Sequence, residues 1–179
     1  GIMASVDRVF EYLDYKREVT EAPEPVTITK ARGIIGFDKV GFSYEDQGFR
    51  MENFNLTITA GEKLAIVGTS GGGKSTIVNL AMRFYDPQQG TVTLDGIDLR
   101  KLSFQSLRDN IALVDQDPLL FNTSIFENIA YSDPSASRAN VITAARVANI
   151  HDYIESLPLG YDTIVGERGV TLSGGEKQR

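Results

Sequence analysis

The chain has no cysteine and one histidine, His151, in 179 residues. The first absence excludes disulfide frameworks, thiolate metal sites and a cysteine nucleophile, and is compatible with a reducing compartment. The second excludes a multi-histidine metal centre. Long hydrophobic runs are missing too: the longest uninterrupted apolar stretches are four residues, such as 64–67 (LAIV) and 111–114 (IALV), against the roughly 20 needed to cross a bilayer. No leader with a charged start, apolar middle and small-residue end opens the sequence. Basic charge is in deficit, with 18 Lys and Arg against 24 Asp and Glu and a net charge of −6. Bulk electrostatics therefore argue against nucleic acid and acidic membrane as partners, and leave open a local anion site. What remains is ordinary for a soluble globular domain, 41% apolar and 23% charged residues.

Along the chain, Val6, Val9, Phe10 and Leu13 recur at i, i+3, i+4 and i+7, one stripe of an amphipathic helix over 5–16. Residues 18–31 carry two prolines, mixed charge and no periodicity, and read as an extended, solvated linker that includes Glu18, Glu21 and Glu24. We place the boundary at 1–32, linker helix and linker, against 33–179. From Ile35 to Tyr44 the apolar alternation slips phase once, as a bulge or break would cause. Phe54, Leu56 and Ile58 alternate as a second strand, and TVTL and IDL flank the hairpin dipeptide Asp95-Gly96. LAIV and IALV read as buried strands. Between them Ile77, Leu80, Ala81 and Phe84 form a helical stripe that stops at Asp86-Pro87. After 122 the pattern turns helical, with a Ser124/Glu127 capping box and an N-cap at Ser137 ahead of Val141, Ala144, Ala145 and Ala148.

Residues 68–75, GTSGGGKS, match G-x-x-x-x-G-K-[ST] between an apolar segment and a helical stripe. With ordinary residue frequencies a chance match in such a chain is on the order of one in a hundred. The chemistry follows residue by residue. Gly68, Gly71, Gly72 and Gly73 clear side chains so that successive backbone N–H groups converge on phosphate oxygens. The helix N-terminus adds its dipole, Lys74 supplies a full charge for the β and γ phosphates, and the Ser75 hydroxyl can ligate Mg²⁺. Neither an N-K-x-D guanine reader nor a D-x-x-G after the loop is present, which makes GTP a poor fit.

At 172–176 the chain reads LSGGE, followed by KQR, and this resembles the LSGGQ signature of ATP-binding cassette (ABC) proteins. VDQDPLLFNTSIFENI (114–129) is similar to that family's Q-loop, with Gln116 in the glutamine position; GERG (166–169) resembles a loop of its exporter branch, and FSY (42–44) its aromatic loop. The resemblance implies an α/β fold: a P-loop NTPase, RecA-like core with an antiparallel β-subdomain and a helical subdomain roughly over 117–172. It further implies a head-to-tail dimer with a second nucleotide-binding domain, two ATP molecules lying between one phosphate loop and the other subunit's signature. Carried over, Gly68, Ser70, Gly71, Gly72, Gly73, Lys74, Ser75 and Thr76 would hold phosphate and Mg²⁺. Tyr44 would stack on adenine, and Gln116 would ligate Mg²⁺ and orient water. Ser173, Gly174 and Gly175 would meet the opposing γ-phosphate, and 117–130 would face a transmembrane domain. The implied activity is ATP hydrolysis driving export, at the cytoplasmic face of a membrane.

Each role has a plainer reading: Tyr44 as a strand end, Gln116 as a surface amide, Ser173 as an ordinary N-cap, His151 as structural or surface. Two departures from the family pattern stand out. Glu176 replaces the usual glutamine and puts a carboxylate near the trans triphosphate. The Walker B strand, its aspartate, the catalytic glutamate and the switch histidine follow the signature in the family and do not occur up to Arg179. We therefore expect residues 1–179 alone to turn over ATP negligibly and LAIV to be left partly uncovered. A nucleotide-binding regulatory module without hydrolysis, or a soluble cassette ATPase, are the alternatives.

Overall fold

Two compact units divide the chain, Gly1–Leu113 and Val114–Arg179. The computed structural model describes residue 10 and residues 18–44, 50–166 and 172–179. The stripe at 5–16 lies outside these apart from Phe10, which is helical and exposed, as does the GERG loop beyond Gly166.

In the first unit, alternation builds one antiparallel sheet of order β2-β1-β3-β4, with β1 at Ile35–Ser43, β2 at Arg50–Ile58, β3 at Gln89–Leu94 and β4 at Ile97–Asp98. The phase slip in β1 is a true irregularity. Pairing with β2 jumps between Phe37 and Val40, where Lys39 takes φ 49°, so Phe37, Val40 and Phe42 all reach the core. Asp95 and Gly96 have φ 52° and 84°, the two positive angles that the tight hairpin between β3 and β4 demands. Helix α1 (Lys74–Ala81) lays Leu80, with Ile77 and Ala81, on the same core as Phe42, Val92 and Leu94. Phe84 leaves the expected stripe: the helix ends at Ala81, Arg83 turns left-handed at φ 52°, and Met82 is buried instead. Helix α2 (Phe104–Asn110) is capped by Ser103, whose hydroxyl accepts from the Ser106 N–H at 3.1 Å.

The expected linker is a strap bonded along this unit. The Val26 N–H donates to the Lys101 carbonyl at 2.7 Å and the Ser103 N–H to the Val26 carbonyl at 3.0 Å. Ser106 Oγ accepts from the Ile28 N–H at 2.6 Å, Asn110 Oδ1 from Ala31 at 2.7 Å, and the Asp95 carboxylate from Arg32 at 2.6 Å and Ile34 at 2.9 Å. Glu21 is no free solvated charge, because its carboxylate accepts from the Phe104 N–H at the start of α2. Buried Arg83 donates to the Thr20 carbonyl at 2.8 Å and pairs with Asp86 at 3.0 Å. Nothing periodic marks such a strap, since its partners are single side chains scattered over the sequence.

LAIV and IALV are not strands. Residues 62–69 and 111–115 have no regular secondary structure, and Leu64, Val67 and Val114 are 42%, 87% and 69% exposed. A strand needs a ladder partner, and no described segment pairs with either tetrapeptide. Apolar composition alone does not create one.

The second unit is helical: α3 (Ile125–Ile129), α4 (Arg138–Val147), α5 (His151–Ser156) and α6 (Gly174–Gln178), with a 3₁₀ turn at Gly160–Asp162. Ser124 and Glu127 close their capping box and Ser137 caps α4 through the Asn140 N–H. Ile125, Val141, Ala145, Ile154, Tyr161 and Val165 form the core.

Candidate functional site

The phosphate-type loop is shaped for an anion. Gly71 and Gly73 adopt φ 79° and 82°, conformations that other residues take at a cost, and Gly72 donates its N–H to the Thr69 carbonyl at 3.2 Å to tighten the turn. Gly73 is the N-cap of α1 and brings no side chain to it. The helix ladder opens with the Ile77 N–H on the Gly73 carbonyl at 3.1 Å, so the N–H groups of residues 74–76 lie ahead of any intrahelical acceptor. No acidic residue occupies the first turn. Unpaired donors, a positive dipole end and a lysine thus meet at one place.

Lys74 Nζ donates to the Gly68 carbonyl at 2.9 Å and the Thr69 carbonyl at 2.6 Å. The ammonium folds back over its own loop, held by these two carbonyls. Ser75 is exposed beside it and Thr76 is buried at the base of the helix. Among the described residues no group of three or more His, Asp or Glu side chains could hold a metal ion.

Tyr44 follows β1 in an aromatic cluster. Its ring meets Phe42 at 4.8 Å and Tyr85 at 5.2 Å, both near-perpendicular, and its hydroxyl accepts from Asn79 Nδ2 at 3.2 Å. Tyr44 is half-buried, leaving part of the ring open. Asn79 and Tyr85 escaped the sequence reading because polar and aromatic positions off the apolar stripe carry no periodic signal.

In the second unit Gln116 is exposed; its N–H donates to Asp115 Oδ1 at 2.7 Å and its carbonyl accepts from Gln178 Nε2 at 2.9 Å. That second bond ties Gln116 to the signature helix α6. Ser173 caps α6 in a full capping box: its Oγ accepts from the Glu176 N–H at 3.3 Å, and Glu176 Oε2 accepts from the Ser173 N–H at 2.6 Å. Either Glu or Gln serves at that third position of a capping box, so Glu176 replaces glutamine without local cost. Gly174 and Gly175 are exposed, with open space where a Cβ would stand.

Between Gln116 and α4 runs an apolar surface. Phe121 stacks on Tyr131 at 4.4 Å with 23° between planes, and Leu119 is 84% exposed. Asn128 holds this turn, accepting from the Phe121 N–H at 2.9 Å and donating to its carbonyl at 3.1 Å. His151 Nδ1 lies 2.8 Å from Tyr161 Oη, a buried phenol whose pKa is raised chiefly by that burial, so the half-buried histidine is tied to the edge of this core.

The ABC transporter family profile matches residues 51–179. An ATP-dependent lipid A-core flippase of Syntrophus aciditrophicus is 45% identical over 177 residues, 99% of this chain and 29% of that protein. ABC transporter B family member 14 of Arabidopsis thaliana is 45% identical over 174 residues, 96% of this chain and 14% of its own length. A bacterial Atm1-family ABC exporter, solved with ATP bound, superposes with a TM-score of 0.87 at 44% identity, covering 98% of this chain and 31% of that one. The chain thus spans about a third or less of the length of the proteins it resembles.

Proposed function

Because the chain belongs to the ABC transporter family and has the ATPase-domain fold of its exporters, we propose that it is the nucleotide-binding part of a membrane exporter that ATP drives. One observation carries the proposal: glycine-shaped turns, the uncapped start of α1 and the Lys74 ammonium converge on one anion cradle.

In this reading Lys74 leaves the Gly68 and Thr69 carbonyls for β- and γ-phosphate oxygens. Gly68, Ser70, Gly71, Gly72 and Gly73 line the phosphates with backbone. Ser75 and Gln116 are the residues that would hold Mg²⁺ together with phosphate oxygens, and the bound cation would supply neutralisation of the triphosphate charge. Tyr44 takes adenine by stacking, worth about 1–3 kcal/mol. Ser173, Gly174 and Gly175 serve the γ-phosphate of a second nucleotide-binding domain packed head to tail, and Gln116, tied to α6, places water. Leu119 and Phe121, with Tyr131 stacked just beyond its end, give segment 117–130 the apolar surface that docking to a transmembrane domain requires. In this reading ATP hydrolysis is an activity of the full-length protein, at the cytoplasmic face of a membrane.

The test is ATP binding and phosphate release by the full-length protein with Lys74→Ala. Losing one charge-assisted bond of about 1.5–3 kcal/mol weakens ATP about ten- to hundredfold, and turnover falls to background. Unchanged affinity and turnover would refute the cradle.

A further inference from the structure

We infer that Asn79 is a positioning residue that holds the base platform in register with the phosphate cradle; this rests on Tyr44 being that platform. Asn79 and Lys74 share helix α1. They stand five positions apart, a rise of about 7.5 Å along the axis. From there Asn79 Nδ2 donates to the Tyr44 hydroxyl at 3.2 Å. Tyr44 is otherwise held by rings: Phe42 at 4.8 Å and 90°, Tyr85 at 5.2 Å and 88°, with Phe42 and Tyr85 themselves 5.5 Å apart. Phe42 is buried in the core and Tyr85 packs against it. The two ring contacts fix the plane of Tyr44 but allow its hydroxyl end to slide. The amide supplies the missing restraint, and supplies it from the helix that begins at the phosphates.

Asparagine is also a poor choice for the interior of a short helix, where alanine or leucine favours the fold. Its presence is explained by the bond it makes. A nucleotide must satisfy base and triphosphate at once, across a span that the ligand sets. With platform and cradle on one rigid connection, that span is preset and the ordering cost of binding falls. The carbonyl of Asn79 adds to this by accepting the Phe84 N–H at 2.9 Å, which ends α1 beside Tyr85.

The experiment compares ATP with inorganic tripolyphosphate, which has no base, on the full-length protein. Asn79→Leu and Tyr44→Phe remove the same bond from its two ends, and Tyr44→Ala removes the platform. We expect Asn79→Leu and Tyr44→Phe each to weaken ATP about two- to tenfold and leave tripolyphosphate unchanged. The double variant should be no weaker than either single one. ATP affinity that is untouched, equal weakening of both ligands, or effects that multiply in the double variant would each overturn the inference. If Tyr44→Ala is selective for ATP while Asn79→Leu is silent, the platform stands and the register role falls. If Tyr44→Ala weakens both ligands alike, the platform itself fails and takes the inference with it.

Discussion

Removing one hydroxyl should loosen the strap at 18–34 and little else. Ser106 is buried, and its Oγ both accepts from the Ile28 N–H at 2.6 Å and donates to the Ile28 carbonyl at 2.9 Å. In Ser106→Ala the carbonyl keeps Asn110 Nδ2 at 3.1 Å, while the N–H loses its partner. An unsatisfied buried donor costs about 1–3 kcal/mol; Ile28 is only partly buried, so the lower part of that range, about 1–2 kcal/mol, applies. Alanine suits α2 better than serine, so the helix itself does not weaken. The cost falls on strap opening. Amide exchange at Val26 and Ala31, whose own partners are Lys101 and Asn110, should accelerate about 5- to 30-fold. Exchange in the β1–β3 ladder, at Phe37 and Val92, should not move. Hydrogen exchange resolved by residue reads both. Unchanged rates at Val26 and Ala31, or equal acceleration across the sheet, would show that the strap is not an independently opening element held by Ser106.

Asp95 gives the strap a pH dependence. The Ile34 N–H bonded to its carboxylate, together with that of Arg32, holds its pKa below the ordinary 3.8. A depressed folded value means stability is fully present above 3.8 and is lost as pH falls through the lowered value; acid should free Arg32 and Ile34 in wild type, and Asp95→Asn should remove that pH response in exchange measurements from pH 5 down to about pH 2. Gly90→Ala should be disruptive: at φ 72° its Cβ would stand 2.3 Å from the Asp38 carbonyl and 2.4 Å from that of Lys39. A loss above about 3 kcal/mol is expected in denaturant titration, and a wild-type midpoint would refute it.

Local signals in the sequence carried far. The slip in β1, the Asp95-Gly96 turn and the caps at Ser124 and Ser137 are each decided within a few residues, and each stands in the structure. LAIV failed for the opposite reason. Whether an apolar tetrapeptide is a strand depends on a neighbour to bond with, which its own composition cannot reveal. Phe84 failed because one left-handed residue, Arg83, ended the helix three positions early. A helical stripe records where side chains would point if the helix went on, and says nothing about where it stops.

The candidate site divides the same way. The loop proposed for phosphate was legible because backbone geometry at a helix start imposes glycine, lysine and serine at fixed spacing. The proposed base platform showed in the sequence only as Tyr44, since what orients that ring comes from Phe42 two residues away, Asn79 on α1 and Tyr85 beyond it. Chain separation of 35 residues between Tyr44 and Asn79 leaves no spacing rule to find. The strap shows the same limit more strongly. Ser106, Asn110, Asp95 and Glu21 look like ordinary helix, turn and linker residues, and each becomes informative only through the distant backbone group that it binds. A satisfied backbone donor in a segment without periodicity is therefore a better guide to the strap's role than its composition. Those bonds make 18–34 an integral part of the unit that contains α1, fastened just past the end of that helix by the bond from Arg83 to the Thr20 carbonyl.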